Sequence, residues 1–222
     1  MQLNSIQLSQ VAKFIQIIGP HGGIYYPDAV RAIQTRYGFV KAPQTLQELD
    51  EKAGIAFLHG KFQTPDGPIV IRQLMYHENS ISAQSGSTTE NVDLFLTDLI
   101  AWMSKEFSLE VKHKEKFPDW CDSQLEVCMN VDIGGSPDEK ASELAAAMNA
   151  IIVRYGHGAK IRPVGFIFAF DPSILPLHGF TLDRRAGKPF VENVYWSRAP
   201  FQTKDHLDVL ALIERLALNV SE

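Results

Sequence analysis

The sequence predicts an α+β fold, a mixed, mainly antiparallel sheet with amphipathic helices packed on one face. Capping signals begin several helices, segments of alternating apolar and polar residues indicate strands, and tight turns join neighbouring strands. The chain has 222 residues, of which 45% are hydrophobic, and this is enough for a sizeable core. We expect a single domain over residues 1–222, or two half-domains at 1–112 and 122–222 joined by the charged connection 112–122.

The first half of the chain predicts helices on both sides of a run of three strands. Gly38 ends one early helix, and Thr45 with Glu48 forms the capping pattern of a second. The proline and glycine at 64–67 indicate a tight turn, and apolar residues three and four apart follow a cap at 87–90. The predicted elements are helix 28–37, helix 45–54, strand 55–62, strand 69–76, strand 80–84 and helix 88–107.

The second half predicts a strand, a helix, at least two further strands and a closing helix. Residues 124–133 alternate as a half-solvated strand does, and a serine–proline cap begins a helix at 136–155. Residues 164–170 are apolar on both faces, which is typical of a central strand, and the crossover between these strands would make one parallel pair. The closing helix at 203–217, capped by a threonine or an aspartate, has apolar residues on more than one side. We therefore expect it to pack against the sheet and against a second surface.

Composition limits the classes of function. The net charge of −5 argues against generic binding to duplex DNA, which needs a broad cationic face. No apolar run reaches the ~20 residues of a membrane helix, and no signal peptide is evident. The two cysteines, Cys121 and Cys128, are expected to be reduced thiols in the cytoplasm. No cysteine or histidine pair has the spacing of a zinc site, so we expect neither a structural metal nor a cofactor.

The segment 180–206 is the strongest candidate for a working surface. It concentrates cations and aromatic rings in a chain that is acidic overall, and such a patch attracts a phosphate, a carboxylate or an acidic protein surface. Under the alternative reading these residues are structural, with two arginines on a solvated strand. The candidate binding residues are Arg184, Arg185, Lys188, Asn193, Tyr195, Trp196 and Arg198.

A catalytic alternative rests on few residues. Glu110 and Lys112 form a Glu-x-Lys pattern which, with an upstream acid such as Asp66, would hold magnesium and assist a water in a nuclease. In the 180–206 segment, His206 would act as an acid or base beside bound phosphate. These residues describe a metal-dependent hydrolase or nuclease acting on a phosphorylated or nucleic-acid substrate.

The sequence contains no complete catalytic motif, and it favours a non-enzymatic function. We expect a non-catalytic interaction subunit of a cytoplasmic assembly, docking through residues 180–206 and the C-terminal helix onto a protein partner or a second copy. Under this hypothesis, charge reversal at Arg184 and Arg185 weakens partner binding without unfolding the chain.

Overall fold

The computed structural model of the chain describes residues 1–19, 26–113, 119–133, 144–150, 164–171 and 178–219. Its strands are β1 (Gln2–Lys13), β2 (Ile15–Ile18), β3 (Ile55–Thr64), β4 (Gly67–His77), β5 (Ser80–Ser85), β6 (Glu110–His113), β7 (Trp120–Cys128), β8 (Gly165–Phe168), β9 (Phe180–Arg184) and β10 (Val194–Ala199). Its helices are α1 (Tyr26–Tyr37), α2 (Thr89–Glu106), α3 (144–150) and α4 (Thr203–Asn219), and short 3-10 helices span Leu46–Leu49 and Phe190–Glu192.

Within these residues, eight strands form one sheet in the order β3-β4-β5-β1-β7-β10-β9-β8, and β2 pairs with β6 in a separate sheet. Every described strand register is antiparallel. Helices pack against the large sheet, so the predicted α+β class is confirmed. The expected parallel pair is wrong, because β8 pairs with β9 at the sheet edge and β7 lies between β1 and β10.

The chain divides into two compact units. The N-terminal unit contains Ile6–Ser123 and Phe201–Thr203, and the C-terminal unit contains Met1–Ser5, Gln124–Pro200 and Lys204–Glu222. The main elements follow one order twice along the chain, namely a strand, a helix, three consecutive strands and a helix. The first occurrence is β1, α1, β3 to β5 and α2, and the second is β7, α3, β8 to β10 and α4. This repeated order of elements is not visible as a repeat in the sequence.

The core of the N-terminal unit lies between α1, α2 and the three strands β3 to β5. Val92, Phe95, Leu96 and Leu99 of α2 are all fully buried, as the three-and-four spacing of the sequence predicts. The helix begins after Thr88, whose hydroxyl accepts a hydrogen bond from the backbone N–H of Asn91. The prediction of this helix is therefore confirmed in both its start and its buried face.

The 45–54 helix prediction is correct only at its start. Thr45 and Glu48 form a reciprocal capping box, but the 3-10 helix ends at Leu49. The helix expected before Gly38 is α1, and Gly38 follows it with a φ of +61°. That backbone angle suits glycine, which has no Cβ.

Strand β1 is not predicted by the sequence. On this strand Ser9, Val11 and Lys13 alternate along one face and all three are buried, so polar residues occupy two of these inward positions. Buried Lys13 is neutralised by Asp93 and Asp119, whose carboxylate oxygens lie 2.6 and 3.1 Å from its Nζ. The alternation that marks a half-buried strand is hidden because these inward residues are not apolar.

The first turn of α4 begins at Thr203, as the sequence suggests. Thr89 and Thr203 exchange two hydrogen bonds, in which the N–H of each donates to the hydroxyl of the other at 2.9 and 2.7 Å. Both side chains are buried, so these bonds satisfy backbone donors that water does not reach.

Two strand predictions in the C-terminal half need correction. The strand expected at 124–133 ends at Cys128, because the backbone N–H groups that follow it bind partners outside the sheet ladder. Met129 N–H donates to the carbonyl of Asn193 at 2.9 Å, and Asn130 N–H donates to the carboxylate of Glu214 at 2.6 Å. The strand expected to be central, 164–170, is the edge strand β8. Of the helix expected at 136–155, residues 144–150 are helical, and the rest lies outside the described residues.

None of the helices in the described ranges combines the length and the apolar content that a membrane-spanning helix requires.

Candidate functional site

Arg184 is the centre of the predicted binding segment, and its side chain is only 5% exposed. Its Nη2 donates to the carboxylate of Asp132 and, at 3.3 Å, to the side-chain oxygen of Asn193. Its Nη1 donates to the carbonyl of Phe190 at 2.6 Å. The guanidinium also lies over the rings of Phe190 and Tyr195, 4.7 and 4.9 Å from their centroids. The polar partners and the rings together hold this cation inside the C-terminal unit.

Tyr195 and Asn193 belong to the same network of contacts around Arg184, which we call the brace around Arg184. The Tyr195 hydroxyl donates to Asp132 at 3.2 Å and accepts from the backbone N–H of Ile133 at 3.1 Å. Its side chain is fully buried, and burial raises the pKa of the Tyr195 hydroxyl above its ordinary value. Asn193 adopts a left-handed φ of +48° at the end of the 3-10 helix, a conformation that asparagine tolerates. Tyr195 therefore has no exposed ring face on which a ligand would stack.

The neighbouring cations have acidic partners as well. Arg185 Nε lies 3.1 Å from Glu126 Oε2, and Lys188 Nζ lies 3.5 Å from Glu192 Oε2. The remaining two candidates, Trp196 and Arg198, are half-buried on β10. Ion pairs thus neutralise three of the cations on which the anion-binding hypothesis depended. The geometry supports the structural reading of this segment more strongly than a pocket for an anion.

The side chain of His206 is fully buried against Ser197. Ser197 Oγ donates to the carbonyl of Thr181 at 2.8 Å, and His206 Nε2 lies 2.8 Å from the same hydroxyl. Since the serine has one proton and gives it to Thr181, the imidazole Nε2 must carry the proton that donates to Ser197. The ring of Phe180 packs edge-on against the imidazole at 5.8 Å. This arrangement joins β9, β10 and α4, and it leaves Ser197 without a base to activate it.

Glu110 and Lys112, the Glu-x-Lys pair of the catalytic alternative, lie on β6. Glu110 Oε1 and Lys112 Nζ lie 3.2 Å apart, and both side chains are more than half exposed. Asp66 lies in the turn between β3 and β4. Throughout the described ranges, no three histidine, cysteine, aspartate or glutamate side chains are grouped as metal ligands. Glu110 and Lys112 belong to the N-terminal unit, whereas His206 belongs to the C-terminal unit.

The most exposed apolar surface of the C-terminal helix was only partly anticipated by the sequence. Leu212 and Leu216, one helical turn apart, are 42% and 55% exposed. Val209 and Ile213 adjoin them at the same helical spacing and are half-buried, which makes a continuous stripe. We call these four residues the α4 stripe. The opposite side of the helix is buried through residues such as Leu210, so α4 carries apolar residues on two sides.

A second exposed apolar region follows edge strand β8. Ile167 and Phe168 are 73% and 63% exposed, although the sequence suggests a strand buried on both faces. Gly165 is held closely against β9, because a Cβ at this position would clash with the carbonyl oxygen of Leu182. The backbone contact explains why this strand begins with glycine.

A charged cluster in the N-terminal unit surrounds the thiol of Cys121. Burial alone would lower the pKa of Lys13, but hydrogen bonds to Asp93 and Asp119 raise it above its ordinary value. Burial is the largest cause, and together with the carboxylates of Asp93, Asp119 and Glu90 it raises the pKa of the Cys121 thiol to about 11. Cys121 is therefore protonated at neutral pH and is a poor nucleophile.

We expect Cys121 to resist alkylation in the Cys128→Ser variant, which has no other thiol. With a pKa of about 11 against an ordinary value of 9.0, its thiolate fraction at pH 8 is about 100-fold lower than that of an ordinary thiol. The iodoacetamide rate should rise as the pH increases toward the pKa. Alkylation at pH 8 as fast as that of an ordinary thiol would contradict the assignment.

Comparison with known proteins gives no functional lead: no protein-family model matches the chain, and no curated protein matches it significantly.

Proposed function

We propose that this protein is a non-catalytic interaction subunit, and that its docking surface is the α4 stripe. The observation that carries the proposal is the exposure of Leu212 and Leu216 on a helix whose other side is already buried in its own unit. Helices of globular proteins usually have one apolar face, so a second exposed one marks a contact surface. The basic segment 180–206 is not part of the proposed surface, because acidic partners neutralise Arg184, Arg185 and Lys188.

The chemistry of the stripe favours a partner with an apolar groove. Residues spaced as Val209, Leu212, Ile213 and Leu216 are the anchors of helix-in-groove recognition. Asp208 and Arg215 are exposed beside the stripe, and Asp205 is exposed one turn before Val209, so the rim of the surface carries charges of both signs. A complementary groove would have an apolar floor, with a cation placed near Asp208 and an acid near Arg215.

We place this interaction in the cytoplasm. Cys121 and Cys128 are both present as thiols, which suits a reducing compartment.

The double variant Leu212→Glu with Leu216→Glu tests the proposal. In a pull-down from the native host, we expect the wild-type chain to recover one partner in stoichiometric amount, and the double variant to lose at least about 90% of it. Two charged side chains in an apolar groove would each remain without a counter-ion, at a cost of more than about 1 kcal/mol each. Thermal melting should stay within a few degrees of the wild type, because both positions are exposed.

Leu94→Glu is the matched control, since Leu94 is a leucine 45% exposed on α2. It should leave the recovery of the partner unchanged. Equal recovery with the wild type and the double variant would remove the α4 stripe as the docking surface. A purified wild-type chain that sediments as a dimer, and a double variant that sediments as a monomer, would assign the surface to self-association instead.

A further inference from the structure

The edge of the large sheet at β3 already binds a short extended piece of its own chain. Lys41 and Leu58 exchange backbone N–H to carbonyl bonds of 3.2 and 2.9 Å, and Val40 N–H donates to the carbonyl of His59 at 3.3 Å. The pairing is antiparallel and forms an isolated bridge. This edge is thus able to accept an extended backbone through main-chain hydrogen bonds.

The same edge continues beyond the bridge to Ala56. The register with β4 is regular from Ile55 to Leu58, so backbone directions alternate without interruption. The N–H and carbonyl of Leu58 point away from β4, toward Lys41. Because these directions repeat every two residues along a strand, the N–H and carbonyl of Ala56 also point away from β4. Among the described residues, no backbone bond engages Ala56 on that side. In the antiparallel register of the Lys41–Leu58 bridge, Pro43 is the residue that would pair with Ala56, and proline has no N–H to donate.

A cleft of about 570 Å³ opens between this edge and the segment that contains the Leu46–Leu49 helix. Binding sites for small ligands have volumes on the order of 300–1,000 Å³. The wall on the sheet side contains Leu58 and the three small residues Ala53, Gly54 and Ala56, and the small residues leave room for a backbone to approach. The opposite wall includes Pro43 and Gln47.

The opposite wall is held in place before any ligand arrives. Glu48 Oε2 accepts hydrogen bonds from the backbone N–H groups of Gln44 and Thr45 at 2.7 and 2.9 Å. These bonds lower the pKa of the Glu48 carboxyl, with the Gln44 N–H as the largest cause. The Gln44 side chain donates to the carbonyl of Ala42 at 3.0 Å. A fixed wall reduces the entropy that binding would otherwise lose.

We propose that this cleft binds an extended peptide segment of another protein, which pairs with Ala56 and adds a strand beside β3. Main-chain bonds to Ala56 supply the register, and the short side chains of Ala53 and Ala56 favour a ligand residue that is apolar and uncharged on the facing side. Exposed Val40 and Lys41 close the end of the cleft where the intrachain bridge begins. No residue of the α4 stripe takes part, so this proposal does not depend on the proposed function.

A displayed library of random linear dodecapeptides is the probe. Peptides selected on the purified chain are synthesised with a fluorophore, and their affinity is measured by polarisation. We expect Ala56→Pro to weaken the selected peptides by about tenfold or more, because it removes a main-chain donor and blocks the edge. The fold should survive, because the N–H of Ala56 makes no bond to β4 and proline is tolerated at an outward edge position.

Ala53→Trp provides a second variant, since Ala53 is exposed and precedes the strand. Its indole should fill the cleft and weaken binding to a similar extent, which keeps the test decisive if Ala56→Pro unfolds. Lys61→Ala, on β3 but outside the cleft, is the control and should bind as the wild type does. A library that yields no peptide above background would overturn the proposal. Selected peptides that bind both cleft variants as tightly as the wild type would overturn it too.

Discussion

Replacement of Phe95 by alanine should lower the free energy of unfolding by about 3–5 kcal/mol, the range measured for large aromatic truncations in protein cores. The Phe95 side chain is fully buried on α2. Its ring makes edge-to-face contacts with Tyr37 and Phe62, at centroid distances of 5.1 and 5.5 Å. Truncation would therefore leave a cavity between α2, α1 and β3, and would remove two aromatic contacts.

Urea unfolding measured for the wild type and Phe95→Ala tests this expectation. Leu94→Ala is the matched control, because Leu94 is the adjacent residue on the same helix and is 45% exposed. It should change stability by no more than about 0.5 kcal/mol. Equal effects of the two substitutions would contradict the placement of Phe95 at the centre of the N-terminal core.

Replacement of Arg184 by methionine should cost about 3 kcal/mol of stability, the lower end of the range for a broken buried ion pair. The variant would leave the Asp132 carboxylate and the Phe190 carbonyl without their cation. Because the Asp132 side chain is 36% exposed, water compensates part of the loss. The sequence predicts that charge reversal at Arg184 and Arg185 spares the fold; because the Arg184 side chain is buried, we expect changes at this position to lower stability.

Arg185→Met is the matched control for Arg184→Met. The Arg185 side chain is 40% exposed, so its ion pair with Glu126 should contribute no more than about 1 kcal/mol. A double-mutant cycle with Asp132→Asn should show coupling between positions 184 and 132 in urea unfolding. If Arg184→Met and Arg185→Met have equal effects, or if no coupling is measured, the brace around Arg184 is not structural.

Local signals account for the elements that the sequence predicted well. The start of α2 depends on Thr88 and its stripe on residues three and four apart, and both signals lie within one segment. The turn between β3 and β4 contains Pro65, and Gly67, the first residue of β4, has a φ of +122°, which requires glycine. In these segments, neighbouring residues are enough to determine the local structure.

Pairing between distant residues explains the largest misses. The inward Lys13 of β1 is neutralised in part by Asp119, 106 positions away. The cations of 180–206 appear as a positive patch in the sequence, yet Arg184 is paired with Asp132, 52 positions earlier. Neighbouring residues in the sequence do not reveal such distant pairs. From the sequence alone, buried cations that are paired with distant acids therefore look like a binding surface.

The α4 stripe was predicted only in part, because its exposure depends on which side of the helix packs against distant residues. The sequence shows apolar residues around more than one side of the last helix, but it does not show which side the sheet covers. The structure buries Leu210 and exposes Leu212 and Leu216, which separates a core face from a contact face. At β8 the sequence suggested the opposite of the observed burial, because an apolar run is equally compatible with a central strand and with an exposed edge.

Site-specific photo-crosslinking tests the docking role of α4 most directly. A benzophenone amino acid is placed at Leu216 in the native host, with the same group at Leu94 as the exposed control on α2. The account predicts one discrete adduct of constant mass from position 216, and no such adduct from position 94. Absence of an adduct at position 216, or the same adducts from both positions, would contradict the assignment of the α4 stripe as the docking surface.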